Sequence, residues 1–128
     1  MNLNVPIGPG ELVDKITILE IKSERLASME KLANVRVELE ALVEARDAAI
    51  AASEALGRLT AALKHVNEAL WQIEDEIRDC ERSGDFGPRF IELARAVYHS
   101  NDERAAIKRQ INDLLGSNIV EEKSYAAY

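Results

Sequence analysis

LTAALKHVNEALWQIEDEIRDC, residues 59 to 80, decides the fold class. Leu59, Leu63, Val66, Leu70, Ile73, Ile77 and Cys80 follow one another in alternating steps of four and three. That spacing lines side chains along one face of an α-helix, and a strand with its period of two cannot produce it. SGDFGP, Ser83 to Pro88, then stops the pattern. Glycine closes a helix in a left-handed turn, and proline suits the first turn of the next.

Reading outward, a fourth helix runs from Pro88 to about Leu115, with Gly116 as its cap. Upstream, a first helix starts at Pro9 or Gly10 and carries Leu12, Ile16, Leu19 and Leu26 on one stripe, with Glu11 in the first turn where a carboxylate suits the helix dipole. Ser28 caps a second helix that holds Leu32, Val35, Leu39, Leu42 and Ala49, and the stripe loses phase at a turn near Ser53. Strand signals are missing. The expectation is all-α: one domain over residues 1–128, an antiparallel bundle of about four helices (about 10–27, 29–52, 55–82 and 88–115), with a dimer as the alternative arrangement, since pairing of two chains hides the same stripes.

A chain of 128 residues buries enough surface for one modest core. With 16 Lys and Arg against 23 Asp and Glu, the formal charge is −7, which disfavours nucleic acid and anionic lipid as partners and makes any anion site a local one. Cys80 is the only cysteine, and His65 and His99 stand far apart without metal-ligand spacing, so neither a metal nor another cofactor is expected. MNLNVPIGPG lacks the basic start and apolar stretch of a secretory signal, and no run approaches the apolar length that spans a bilayer. A cytoplasmic protein without membrane insertion is the expectation.

The residues that break the pattern lie on the fourth helix. Phe90, Ala94, Val97, Asn101, Arg104, Lys108, Ile111 and Leu115 hold strict spacing, yet the centre of this seam is polar. A buried cation without a partner is costly, so Arg104 and Lys108 need a carboxylate from another helix or a bound anion. Glu20 on the first helix and Glu74 on the third are the candidate partners. A register-fixing network of Asn101, Arg104, Lys108, Glu20 and Glu74 is the structural reading, and it outweighs the functional one, a pocket for a small carboxylate or phosphate between helices.

Helix one carries a second apolar pair, Ile18 and Ile21, opposite its stripe and beside Asp14 and Arg25. A central helix packed on several sides explains it as well as an exposed interface for a second copy or another protein does. Trp71 and Tyr98, next to the seams, are core edge more often than pocket caps. The tail NIVEEKSYAAY either folds back over the bundle or frays. Catalytic signatures are mostly absent: there is no Gly-rich phosphate loop after a strand, no nucleophile elbow, and no paired metal spacing. The sequence therefore leans away from an enzyme.

PGELVDKITILEIK (Pro9 to Lys22), KLANV (Lys31 to Val35), VNEALWQIEDEIR (Val66 to Arg78), FIELARAVYHSNDERAAIKRQIN (Phe90 to Asn112) and VEEKSY (Val120 to Tyr125) resemble a family of small bacterial helical proteins without an assigned function. That resemblance covers most of the chain outside the Ala-rich region near residues 48 to 60, includes Asn101, Arg104 and Lys108, and implies an all-helical domain with no stated chemistry. A more distant likeness is to the all-helical chorismate mutases, through Asp14, Lys22 and Arg25; it departs where Glu11 stands in place of an arginine, which puts carboxylate binding there in doubt. The leading expectation is a non-enzymatic self-association or protein-interaction module, a homodimer or a binder of another protein, using Ile18 and Ile21. The alternative is a small-anion pocket, or a chorismate-mutase-like enzyme, built on Arg104 and Lys108.

Overall fold

The computed structural model describes residues 1–128, which form four helices and no strand: α1 (Pro9–Arg25), α2 (Met29–Ala49), α3 (Glu54–Ser83) and α4 (Pro88–Leu114). Their ends follow local chemistry. The Ser28 hydroxyl accepts from the Lys31 amide at 3.3 Å, and the Ser53 hydroxyl accepts from the Leu56 amide at 3.1 Å, so each serine satisfies a donor that the first helical turn leaves free. Pro9 and Pro88 open α1 and α4, where no amide hydrogen is required. Gly84, at φ 69°, closes α3 in the left-handed conformation. α2 stops at Ala49, short of the expected residue 52, because Ile50 takes an extended conformation and packs against the core around Val13, Leu56, Leu63 and Ile111.

α1 packs against each of the other three helices, α3 and α4 pack on each other, and α2 touches α1 alone. α4 runs antiparallel to α1, with Glu11 meeting Lys108 and Asp14 meeting Arg104. The core sits where α1, α3 and α4 converge, and α1 supplies Val13, Ile16, Leu19 and Ile21 to it. The all-helical bundle expected from the spacing is the observed architecture, with the first helix at its centre.

That central position corrects the expectation of an open face on α1. Ile21 is 1% exposed and covered by neighbouring helices, and Ile18 is half-buried at the edge of a groove, so the two do not form one open face. Asp14, which helical spacing placed beside them on the same outer face, is also only 1% exposed. The physical reason is simple: a helix packed on three sides has little outer face left along its middle turns.

The start of α1 is pressed onto the end of α4. A Cβ at Gly10 would stand 2.4 Å from the Lys108 carbonyl oxygen, so only glycine admits this approach, and the Gly10 amide donates to Asn112 Oδ1 at 2.8 Å. Past Gly116 the tail folds back over α4. Lys123 and the Tyr128 hydroxyl both donate to Asp102, and the Tyr128 ring packs edge-on against Tyr98 and His99. The hydrogen bond to Asp102 pushes the Tyr128 phenol up to about 12.

Candidate functional site

The polar seam of α4 meets α1 at two ion pairs, and α3 completes the arrangement. Arg104 donates from Nε to Asp14 Oδ1 at 2.9 Å and from Nη2 to Asp14 Oδ2, a two-pronged grip on one carboxylate. Asn67 of α3 donates from Nδ2 to the same Asp14 oxygen at 2.9 Å and to Thr17 Oγ1 at 3.0 Å, while the Thr17 hydroxyl donates to the Asp14 carbonyl at 2.8 Å. Asp14 is thus a buried charge with a cation and an amide gripping its carboxylate, the condition under which such a group is tolerated. The hydrogen bond to Asp14 raises the Arg104 pKa above its ordinary value and outweighs the effect of burial.

One turn on, Lys108 lies between Glu11 of α1 and Glu121 of the tail, the latter at 2.9 Å. Burial lowers the Lys108 pKa, but the two carboxylates prevail and hold it above its ordinary value. Glu11 mirrors this: burial raises its carboxyl pKa, and Lys108, with Lys15 nearby, brings it below the usual range.

Arg104 stands in the wall between two cavities. On one flank, a cavity of about 570 Å³ opens between α4 and the tail, with Asn101, Arg104, Lys108, Arg109 and Lys123 in its lining together with Glu121 and Glu122. On the other, a groove of about 500 Å³ lies between α1, α3 and α4, lined by Asn67, Trp71, Glu74, Asn101 and Arg104 among others.

The structure therefore brings Asn101, Arg104 and Lys108 together, as their spacing on one helix implies. It does not make Glu20 or Glu74 the partners of the cations. Glu20 turns to Lys64 of α3 at 3.6 Å, and Glu74 pairs with Arg78 on its own helix at 3.2 Å, leaving it only at the wall of the groove. The partners are instead Asp14, Glu11 and Glu121. The chorismate-mutase likeness loses its constellation, because Asp14 is buried on Arg104 while Arg25 is exposed at the end of α1.

Thr17, Asn67 and Asn112 are buried polar residues that sequence reasoning passed over, and Asp14, a fourth, was noted there without its burial or its partner. A signal existed. Asn67 sits beside Val66 and four residues after Leu63, and Asp14 and Thr17 flank Ile16, so each interrupts an apolar stretch at helical spacing. No three His, Cys, Asp or Glu side chains converge where they would hold a metal ion, and no helix is long and apolar enough to cross a membrane.

The sequence profile described as "Family of unknown function (DUF6165)" matches residues 3–128. The chain belongs to this family. No curated protein and no solved structure matches it. The family match spans α1 through the tail, so both cavities lie wholly within it.

Proposed function

We propose that the protein binds a small anion, a solute bearing a carboxylate or phosphate, in the cavity between α4 and the tail. The observation that carries this reading is that Lys108 already holds a carboxylate there: Glu121, brought by the tail to 2.9 Å in a cavity whose lining has four cations, Arg104, Lys108, Arg109 and Lys123. In a chain of net charge −7 this is a local concentration of positive groups. Lys108 is 13% exposed in its side chain, so its charge acts through a medium that screens less than bulk water. An incoming anion replaces Glu121 on Lys108 and gains further donors from Asn101 and Arg109.

Thermal unfolding with phosphate and citrate at low ionic strength tests it, since a ligand that binds only the folded state raises stability by mass action. Phosphate or citrate is expected to raise the midpoint of the wild type, more so in Glu121→Gln, where the internal competitor has lost its charge, and not at all in Lys108→Met. No anion-dependent rise in either the wild type or Glu121→Gln would sink the proposal.

Self-association is the second reading, and the observation in its favour is on α2. That helix packs on α1 alone and leaves Met29 and Val37 at 82% and 71% exposure. A dimer through α2 is expected to fall apart in Val37→Glu, read by light scattering; a monomeric wild type at high concentration removes this reading.

A further inference from the structure

The groove on the other flank of Arg104 has a chemistry unlike that of the anion cavity. Ile18, Leu70, Trp71 and Val97 give it apolar walls, and its charged residues balance, Arg78 and Arg104 against Glu74 and Asp75. Asp14 lies behind Arg104 as well, so a bare anion finds no surplus of positive charge here.

Hydrogen-bonding groups are nonetheless left unused in it. Asn67 is 5% exposed and gives both hydrogens of its amide to Asp14 and Thr17. A carboxylate only accepts, which fixes the orientation of that amide and turns its oxygen away from Asp14. Asn67 Oδ1 accepts no hydrogen bond within the protein, and since no fully enclosed side-chain nitrogen or oxygen lacks a partner, it is not wholly sealed from solvent, and Asn67 lines this groove. Arg104 commits Nε and Nη2 to Asp14 and leaves Nη1 free. Asn101, three residues before Arg104 on the same face of α4, makes no side-chain hydrogen bond and lines the same groove.

The spacing of these groups is informative. Arg104 Nε and Asn67 Nδ2 both reach the same oxygen of Asp14 at 2.9 Å, so the guanidinium and the carboxamide lie side by side. A side chain with a free donor and a side chain with a free acceptor are thereby neighbours beside an apolar wall. We infer that the groove binds a free α-amino acid with an apolar or aromatic side chain. Its carboxylate takes Arg104 Nη1 and Asn101, its ammonium takes Asn67 Oδ1, and Asp75, which has no cation partner, adds a negative charge to the lining. The side chain lies against Ile18, Leu70, Trp71 and Val97. Binding pockets are commonly built this way, with apolar walls and a few convergent polar groups that set orientation.

Trp71 is the chain's only tryptophan, so its emission reports on the groove directly. The probes are L-phenylalanine and L-leucine, with 3-phenylpropionate lacking the ammonium, phenethylamine lacking the carboxylate, and inorganic phosphate. Equilibrium dialysis is run beside fluorescence so that a silent indole does not hide binding. A saturable response to both amino acids is expected, weakened by about tenfold or more for either single-charge analogue, since each forfeits a charge-assisted contact. Asn101→Leu and Asp75→Asn, which leave the Asp14 network intact, are expected to weaken amino acid binding. Lys108→Met is expected to retain it while losing any response to phosphate, which separates this site from the anion cavity. No saturable binding of either amino acid by both methods, or equal binding of phenethylamine and L-phenylalanine, overturns the inference.

Discussion

α1 and α2 follow each other in the chain and meet opposite fates. α2 is longer, 21 residues against 17, and richer in apolar residues, yet it buries Val35 alone, while α1 buries seven residues, two of them polar side chains. The difference lies in neighbours. α1 is enclosed by three helices, and α2 has only α1 to lean on. Composition tells how much a helix is able to bury, but its place among the other helices decides how much it does bury. Polar groups at the enclosed position are consequential for the same reason, because each must find its partner inside the protein.

The sharpest way to break the contrast is to orphan a charge on α1. Arg104→Met keeps much of the bulk and leaves Asp14 buried without its cation, and a loss of about 3 to 5 kcal/mol is expected in urea unfolding. A loss under about 1 kcal/mol would mean that Asp14 reaches water at little cost once Arg104 is gone. Ile16→Ala follows, since Ile16 is fully buried and truncation of such a side chain costs about 2 to 5 kcal/mol, measured in the same assay. Gly10→Ala should cost about 1 to 3 kcal/mol, because the new methyl group meets the Lys108 backbone carbonyl and α1 has to move away from α4.

A smaller effect appears with pH. Glu11 is held below its ordinary value of 4.5, so its contribution to stability is complete above that pH and disappears as the pH falls through the lowered value. Glu11→Gln is expected to flatten the acid limb of the stability profile and leave the neutral region less stable; an acid limb of unchanged steepness would assign it to other carboxylates. The smallest change is on α2: Val37→Ala, at an exposed position, should stay within about 0.5 kcal/mol of the wild type in urea. A larger loss, growing with protein concentration, would show that α2 is covered by a second copy.

Much of this was legible in the sequence. The starts of α2 and α4 and the end of α3 were, because Ser28, Pro88 and Gly84 act locally and their chemistry does not depend on the rest of the fold, whereas the end of α2 was not. The shared face of Asn101, Arg104 and Lys108 was legible too, since residues three and four apart on one helix must be neighbours. Their partners were not. Asp14 is 90 residues from Arg104 and Glu121 belongs to a tail with no periodic signal, so helical spacing offers no means of pairing them. Periodicity is also silent on how many neighbours a helix has, which is why Ile18 and Ile21 fitted an enclosed central helix and an open interface equally well and α2 read as another ordinary bundle helix.

The hydrogen bond from the Gly10 amide to Asn112 joins residues 102 apart. During synthesis α1 is made before α2, α3 and α4, yet the carboxamide that closes its first turn and the cations that neutralise Glu11 and Asp14 are made with α4. Until α4 is complete, the nascent chain carries Val13 without Ile111, the α4 residue it packs with in the core. Contacts of such long range slow folding and leave apolar surface open to association in the meantime. The central helix therefore precedes the other three in synthesis and is finished only with the last of them, and chains cut short before Lys108 are expected to depend on chaperones in a way that chains carrying all four helices do not.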